Sequence, residues 1–153
     1  MGAPSYGIYT FHESENDTNS MYFRRFDGQS WSADTQLQNP HTNGTITLTE
    51  SSGCGVVFEG VLWCFYRHNG QLGFNVNSGV WQNGLPVPVA MTGTPSAAIW
   101  QNRIYVFYQG AGGNPDGGDG RLHFVTTDGN TFSGDQLVPI RSEEHTSELQ
   151  SLV

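Results

Sequence analysis

The 153-residue sequence predicts an all-β protein assembled from repeated four-stranded units, and three observations carry that expectation. Glycine is abundant at 20 residues and aromatics make up 12% of the chain, while charged residues reach only 13%. That balance suits short strands and tight turns around an apolar interior. Runs of β-branched and aromatic residues are bounded by Glu-Gly, Gln-Asn, Asp-Gly and Asn-Ser-Gly sequences that favour turns. Residues 1–140 hold no helical period of any length, and the chain copies itself internally.

The copies set the elements. Segments 21–38 (MYFRRFDGQSWSADTQLQ), 72–89 (LGFNVNSGVWQNGLPVPV) and 122–140 (LHFVTTDGNTFSGDQLVPI) align so that Phe23, Phe74 and Phe124 correspond, as do Trp31, Trp81 and Phe132, at separations of 50 to 51 residues. A second register relates 52–70 (SGCGVVFEGVLWCFYRHNG) to 93–111 (GTPSAAIWQNRIYVFYQGA), with the Glu59-Gly60 and Gln101-Asn102 turns 42 residues apart. The difference lies in the loop before the next landmark, which grows from RHNGQ to QGAGGNPDGGDGR. A truncated copy, PSYGIYTFHESENDTNS, opens the chain.

Each full unit therefore predicts four short strands: GVVFE, VLWCFYR, QLGFNVN and LPVPV in one copy, SAAIW, RIYVFYQ, RLHFVTT and DQLVPI in the next. Four strands in a repeat of about 42–51 residues is the pattern of a β-propeller blade. The chain divides into an incomplete blade at 1–40, blades at 45–90 and 91–140, and a tail at 141–153. Propellers take about four to eight blades to close. About three blades therefore predict a fragment that needs further blades or self-association to complete a ring.

Between the third and fourth strands, Asp27-Gly28 and Asp128-Gly129 each precede an aromatic four residues after the Asp. The expected role is structural, with Asp accepting hydrogen bonds from the following amides and Gly supplying a positive φ. The bend RFDGQSW resembles a degenerate Asp box of sialidase-type propellers, keeping the Asp, a glycine and the Trp but lacking the leading Ser and shortening the Asp-to-Gly spacing. More broadly, FDGQSWSADTQL, PSAAIWQNRIYVFYQG and GVVFEGVLWCFYRHNGQL resemble the tandem repeats of bacterial and fungal propellers of lectin or sialidase-like type, over nearly all of residues 1–140. The resemblance implies a propeller architecture and, as the commonest function, carbohydrate binding.

Composition narrows the partners. The formal net charge is −8, there is no lysine, and the arginines at 24, 25, 67, 103, 121 and 141 form no stripe, which argues against nucleic acid or anionic membranes. No apolar run approaches the roughly 20 residues of a membrane helix. The start MGAPSYGIYTF lacks the basic and apolar regions of a signal peptide, so a cytoplasmic chain is expected, or a secreted one whose natural N-terminus is missing. Cys54 and Cys64 flank a hairpin turn around Glu59, which permits either a bridge or two free buried thiols; a single bridge is no disulfide framework, and free thiols are expected.

In a propeller, the loops joining second to third strands share a face with those joining one blade to the next. Here that face would present 12–20, 67–71 and 109–121, with the inter-blade loops 39–44 and 91–95, all rich in Asn, Asp, Gln, His, Glu and Thr. Such groups exchange hydrogen bonds with sugar hydroxyls in both directions. The candidate ligand-binding residues are His12 and Glu13 in the first unit, Tyr66, Arg67 and His68 in the second, and Tyr108 and Gln109 in the third, equivalent positions at the ends of second strands. Trp31, Trp63 and Trp81 recur at aromatic positions and are expected in the core; the counterpart of Trp100, Phe58, leaves its role open.

No cofactor is expected, and no metal. Asn114, Asp116 and Asp119 lack the spacing and closing Glu of an EF-hand, and His12, His41, His68 and His123 show no zinc spacing. A glycosidase of sialidase type would need an arginine cluster, a Tyr with a Glu, and a further acid; only Arg67 falls on the presumed ligand face. The sequence thus favours a non-catalytic, lectin-like propeller with a glycan ligand. A glycoside hydrolase whose catalytic residues lie in other blades, or a protein-interaction propeller, stand as alternatives.

After Ile140 the repeat stops. RSEEHTSELQS, residues 141–151, resembles the translation of a common short-read sequencing adapter, so this tail is expected to be non-native, and Glu143, Glu144, His145 and Glu148 are set aside as site residues.

Overall fold

The computed structural model describes residues 7–14, 20–39, 45–46, 52–83, 87–111 and 118–139. The tail, His41 and the loop residues Asn114 and Asp116 lie outside these ranges. Among the described residues every regular element is a strand, and all strands pair antiparallel.

The strands gather into three successive blades. Blade 1 contains β1 (Ile8–Glu13), β2 (Met21–Phe26) and β3 (Thr35–Gln36) in that order. A two-stranded ladder of β4 (Gln38–Asn39) and β5 (Thr45–Ile46) follows. Blade 2 runs β6 (Cys54–Phe58), β7 (Val61–His68), β8 (Gln71–Asn77) and β9 (Trp81–Asn83). Blade 3 uses the second half of β10 (Val87–Trp100), then β11 (Arg103–Ala111), β12 (Gly118–Thr127) and β13 (Gln136–Leu137).

The 14-residue β10 departs from expectation. Residues 91–95 were expected to form an inter-blade loop, but they are the middle of a continuous strand. Val87 and Ala90 pair with β8 of blade 2, while Met91 onward pairs with β11 of blade 3. The register shifts between Thr92 and Ser96, where Gly93 sits at φ 69° and lets the strand change sheets without ending.

Local sequence explains the turns. Glu59-Gly60, Asn69-Gly70 and Gln101-Asn102 all place two consecutive residues at positive φ, the geometry that matches the twist of a two-residue hairpin. In the bends between third and fourth strands, Asp27 Oδ1 accepts from the Gln29 and Ser30 amides at 2.8 and 2.9 Å, and Asp128 Oδ1 accepts from Asn130 and Thr131 at 2.9 Å each. These bonds, foremost those from Ser30 and Thr131, hold both carboxyls below the usual carboxylate pKa. Gly28 and Gly129 take φ of 103° and 97°. In blade 2, Asn77 Oδ1 does the same work for the Gly79 amide at 2.8 Å. The structural role expected for the Asp-Gly pairs is therefore what the geometry displays.

Register makes the blades superimposable by position. Phe11 faces Phe23 across blade 1, Phe65 faces Phe74 in blade 2, and Phe107 faces Phe124 in blade 3. With Tyr9, Trp63 and Tyr105 two residues earlier, each blade builds a triad of rings on one sheet face, with centroids 5.3–6.4 Å apart. We call this the forward face and its opposite the rear face. Trp81, at the blade 2 bend, inserts against Phe11 and Phe23 of blade 1 at 6.1 and 5.5 Å. Phe132, at the same place in blade 3, packs on Trp63 and Phe74 of blade 2 at 6.4 and 5.1 Å. Each ring pair adds about 0.5–1.5 kcal/mol beyond area burial.

Around these contacts lie two cores. Between blades 2 and 3, Phe65, Leu72, Val87, Met91, Ile104 and Val106 are buried; between blades 1 and 2, Met21, Leu37, Cys64 and Tyr66 are. Trp63 is core as expected, and Trp81 is partly buried. Trp31 is not core, being 48% exposed with its ring on Phe26 of its own blade.

The cysteines are free. Cys64 pairs with Gly55 and Cys54 with Phe65, so the two side chains emerge on opposite faces and join different cores. The bridge that sequence spacing permits is excluded by this one-residue offset. Burial raises the Cys54 thiol to about 12 and Cys64 well above its ordinary value.

Two outcomes follow. A thiol reagent at pH 8 should modify neither cysteine on the timescale that suffices for both in urea. Phe132→Ala should cost about 3 kcal/mol in urea unfolding, through loss of an inter-blade plug, whereas Trp31→Ala, at the equivalent but half-exposed position, should cost under about 1 kcal/mol.

Candidate functional site

The shared register shows how the predicted site residues are disposed. His12, Tyr66 and Tyr108 each follow the central Phe of the second strand and point to the rear face; Glu13, Arg67 and Gln109 come next and point forward. Alternation thus splits the predicted set between two faces of each sheet. His68 lies one step further, its Nε2 3.1 Å from Asn69 Nδ2 beside the tight turn. Glu13 and Arg67 are partly buried and Gln109 is exposed.

The rear-face row meets an oxygen acceptor in every blade. In blade 2 the Tyr66 hydroxyl donates to Asn75 Oδ1 at 2.6 Å, both groups being buried. In blade 3 the Tyr108 hydroxyl donates to Asp135, and in blade 1 His12 Nε2 lies 3.2 Å from Asp34 Oδ2, with Arg24 Nε 3.5 Å from the other carboxylate oxygen. Tyr66 and Tyr108 are 4% and 2% exposed, packed between blades. Burial first, then the charge or hydrogen bond beside each ring, raises both phenols' pKa. They are held as neutral donors with little surface open to solvent.

The strongest polar constellation surrounds His123 on β12. Its Nδ1 lies 3.0 Å from Asp135 Oδ2 and its Nε2 2.8 Å from Asp119 Oδ2, so one imidazole is clasped between two carboxylates. Asp135 also takes the Tyr108 hydroxyl, and Asp119 Oδ1 accepts the Arg121 amide at 2.8 Å. The ring stacks on Tyr108 with centroids 6.0 Å apart. Gly110 makes this possible, because a Cβ there would collide with the His123 ring. Partial burial of the ring opposes its protonation, but the bonds to Asp119 and Asp135 and their charges outweigh it and raise the His123 pKa. The same contact with His123, followed by the Arg121 amide, lowers that of Asp119.

These residues do not gather into a metal site: among the described residues no group of three or more His, Cys, Asp or Glu is arranged to hold an ion. The His123 side chain is only 15% exposed, yet its partners open outward, Asp119 at 29% and Asp135 at 46%. A carboxylate offers about four lone-pair directions, and the internal bonds leave acceptor capacity on each. The arrangement presents two oriented carboxylates at the rim of blade 3, on the face opposite the one to which Gln109 points.

Asp34 and Asp135 were not singled out from sequence, and Asp119 and His123 were weighed there only as metal ligands and set aside. A signal existed for two of them: WSAD and FSGD recur at the same distance after the Asp27 and Asp128 bends, placing Asp34 and Asp135 in register. Ser32 and Ser133 in these motifs accept from the Arg25 and Thr126 amides at 3.0 and 2.9 Å, fixing the bend from which each Asp departs.

No family model and no curated protein matches the chain. Six solved chains resemble its structure, among them the sialidase NanB in a structure titled NanB plus Optactamide, with a TM-score of 0.54 and 15% sequence identity. The match covers 78% of this chain and 19% of that one, so the chain spans under a fifth of NanB's length. At this identity the likeness speaks for a sialidase-like β-fold.

The clasp has a defined pH window. A raised His123 pKa contributes stability that is complete below about 6.5 and lost as pH rises through the folded-state value; the lowered Asp119 pKa contributes above 3.8 and is lost as pH falls through its own. The His123 ring resonance should titrate above pH 6.5, and Asp119→Asn should move that midpoint down. In urea unfolding, the deficit of His123→Gln against the unsubstituted chain should be largest near pH 5–6 and shrink toward pH 9.

Proposed function

We propose that the chain binds carbohydrate, as a non-catalytic lectin-like module. The observation that carries this reading is the rim of blade 3, where Asp119 and Asp135 are held apart by a shared imidazole and keep acceptor capacity toward solvent. Two fixed carboxylates accept from neighbouring hydroxyls of a neutral sugar. Removing such a bond from a bound sugar costs about 1.5–3 kcal/mol.

The same geometry argues for binding over turnover. Covalent catalysis wants an activated nucleophile. Tyr108, the phenol paired with a carboxylate here, is buried and held protonated. His12 and Glu13 in blade 1 and Arg67 and His68 in blade 2 supply further polar groups along equivalent strand ends, suiting several weak sites whose avidity sums.

A glycan array with the full chain, followed by calorimetry on the best ligand, tests the reading. Asp119→Asn and Asp135→Asn should each weaken binding about tenfold, or about 1.4 kcal/mol. Absence of any glycan ligand, or binding indifferent to both changes, overturns it.

A further inference from the structure

The two interfaces inside the chain obey one rule. A forward-face triad of rings receives the bend aromatic of the following blade: Trp81 on blade 1, Phe132 on blade 2. Blade 3 carries the third triad, Tyr105, Phe107 and Phe124, with centroids 5.9–6.4 Å apart. Among the described residues no ring from another blade rests on it. Blade 1 carries the third bend aromatic, Trp31, whose one ring partner among the described residues is Phe26 of its own blade.

Two further pairs of positions tell the same story. Phe58, at the end of the first strand of blade 2, is 3% exposed, and a Cβ on Gly129 of the blade 3 bend would meet its ring at 3.4 Å. Its counterpart Trp100 is 60% exposed, and the counterpart of Gly129, Gly28, has nothing within 4 Å of such a Cβ. On the rear faces, Leu62 and Ile104 are 2% and 0% exposed, whereas the equivalent Ile8 of blade 1 is 61% exposed. Positions that are sealed between blades lie open at both ends of the stack, and they are the two halves of one interface.

We infer that a second copy of this chain docks head to tail, seating Trp31 and Ile8 of its blade 1 against the Tyr105, Phe107, Phe124 and Trp100 surface of blade 3. The contact is the continuation of the interface repeated twice within the chain. It is weaker than its models, because blade 1 presents Thr10 and Arg24 where blade 2 has Cys64 and Asn75 and blade 3 has Val106 and Val125. A head-to-tail contact closes into a ring if the rotation permits and otherwise propagates.

Sedimentation of the full chain between about 1 and 500 µM tests this, with circular dichroism confirming that each variant keeps its β signal. The unsubstituted chain should associate reversibly, and Trp31→Asp and Trp100→Asp, both at exposed positions, should each shift half-association at least tenfold toward higher concentration. Mixing the two variants should restore a 1:1 complex, because each retains the half that the other lost. A chain that stays monomeric throughout overturns the inference, as does association unaffected by either substitution. Failure of the mixture to recover overturns the head-to-tail arrangement in favour of a like-to-like contact.

Discussion

One contact organises this protein: an aromatic ring leaving the bend of one blade and entering the ring triad of the blade before it. The Asp-Gly bend exists to aim that ring, the hairpins hold the triad flat, and both hydrophobic cores form around the filled socket. Such a bend is cheap to encode, needing one Asp or Asn side chain to collect one or two amides and one glycine at positive φ. The result is a stack held chiefly by packing between sheets, with little reliance on charge. A chain with six basic residues and no lysine can sustain that kind of interior.

Much of the architecture was legible in the sequence because its signals are local or repeated. Phe23, Phe74 and Phe124 recur at the blade period, and the positive-φ pairs at Glu59-Gly60 and Gln101-Asn102 carry turn chemistry in their side chains. What escaped was whatever depended on register. Nothing in the sequence says that Cys54 is offset by one residue from Cys64, yet that single step sends the thiols into different cores. The segment 91–95 has the Thr, Gly and Pro of a loop, and only the pairing of Met91 and Thr92 with β11 reveals it as strand.

The candidate site divides in the same way. The sequence pointed to strand ends, and seven side chains there could be named. The alternation of a strand then sorts them onto opposite faces, so Tyr66 and Tyr108 turn inward while Gln109 turns out. The acidic partners were harder to find because they come from other strands and from a loop. Asp135 reaches Tyr108 across 27 residues, and Asp119 meets His123 only because Gly110 leaves room for the ring. Repeat alignment contained the recurrence of Asp34 and Asp135, but recurrence in a repeat protein usually means packing, and only the open edges of Asp119 and Asp135 suggest more.

Strand β10 carries a consequence for how the molecule comes apart. Because one unbroken backbone belongs to two sheets, parting blade 3 from blade 2 must break the 2.9 Å bond from the Met91 amide to Gly70 O if Met91 is to stay paired with Gly110. Blades 2 and 3 should therefore melt as a single cooperative unit, and hydrogen exchange at Val106 and Phe65 should report one shared opening event. A repeat architecture that might have unravelled sheet by sheet is, at this joint, stitched.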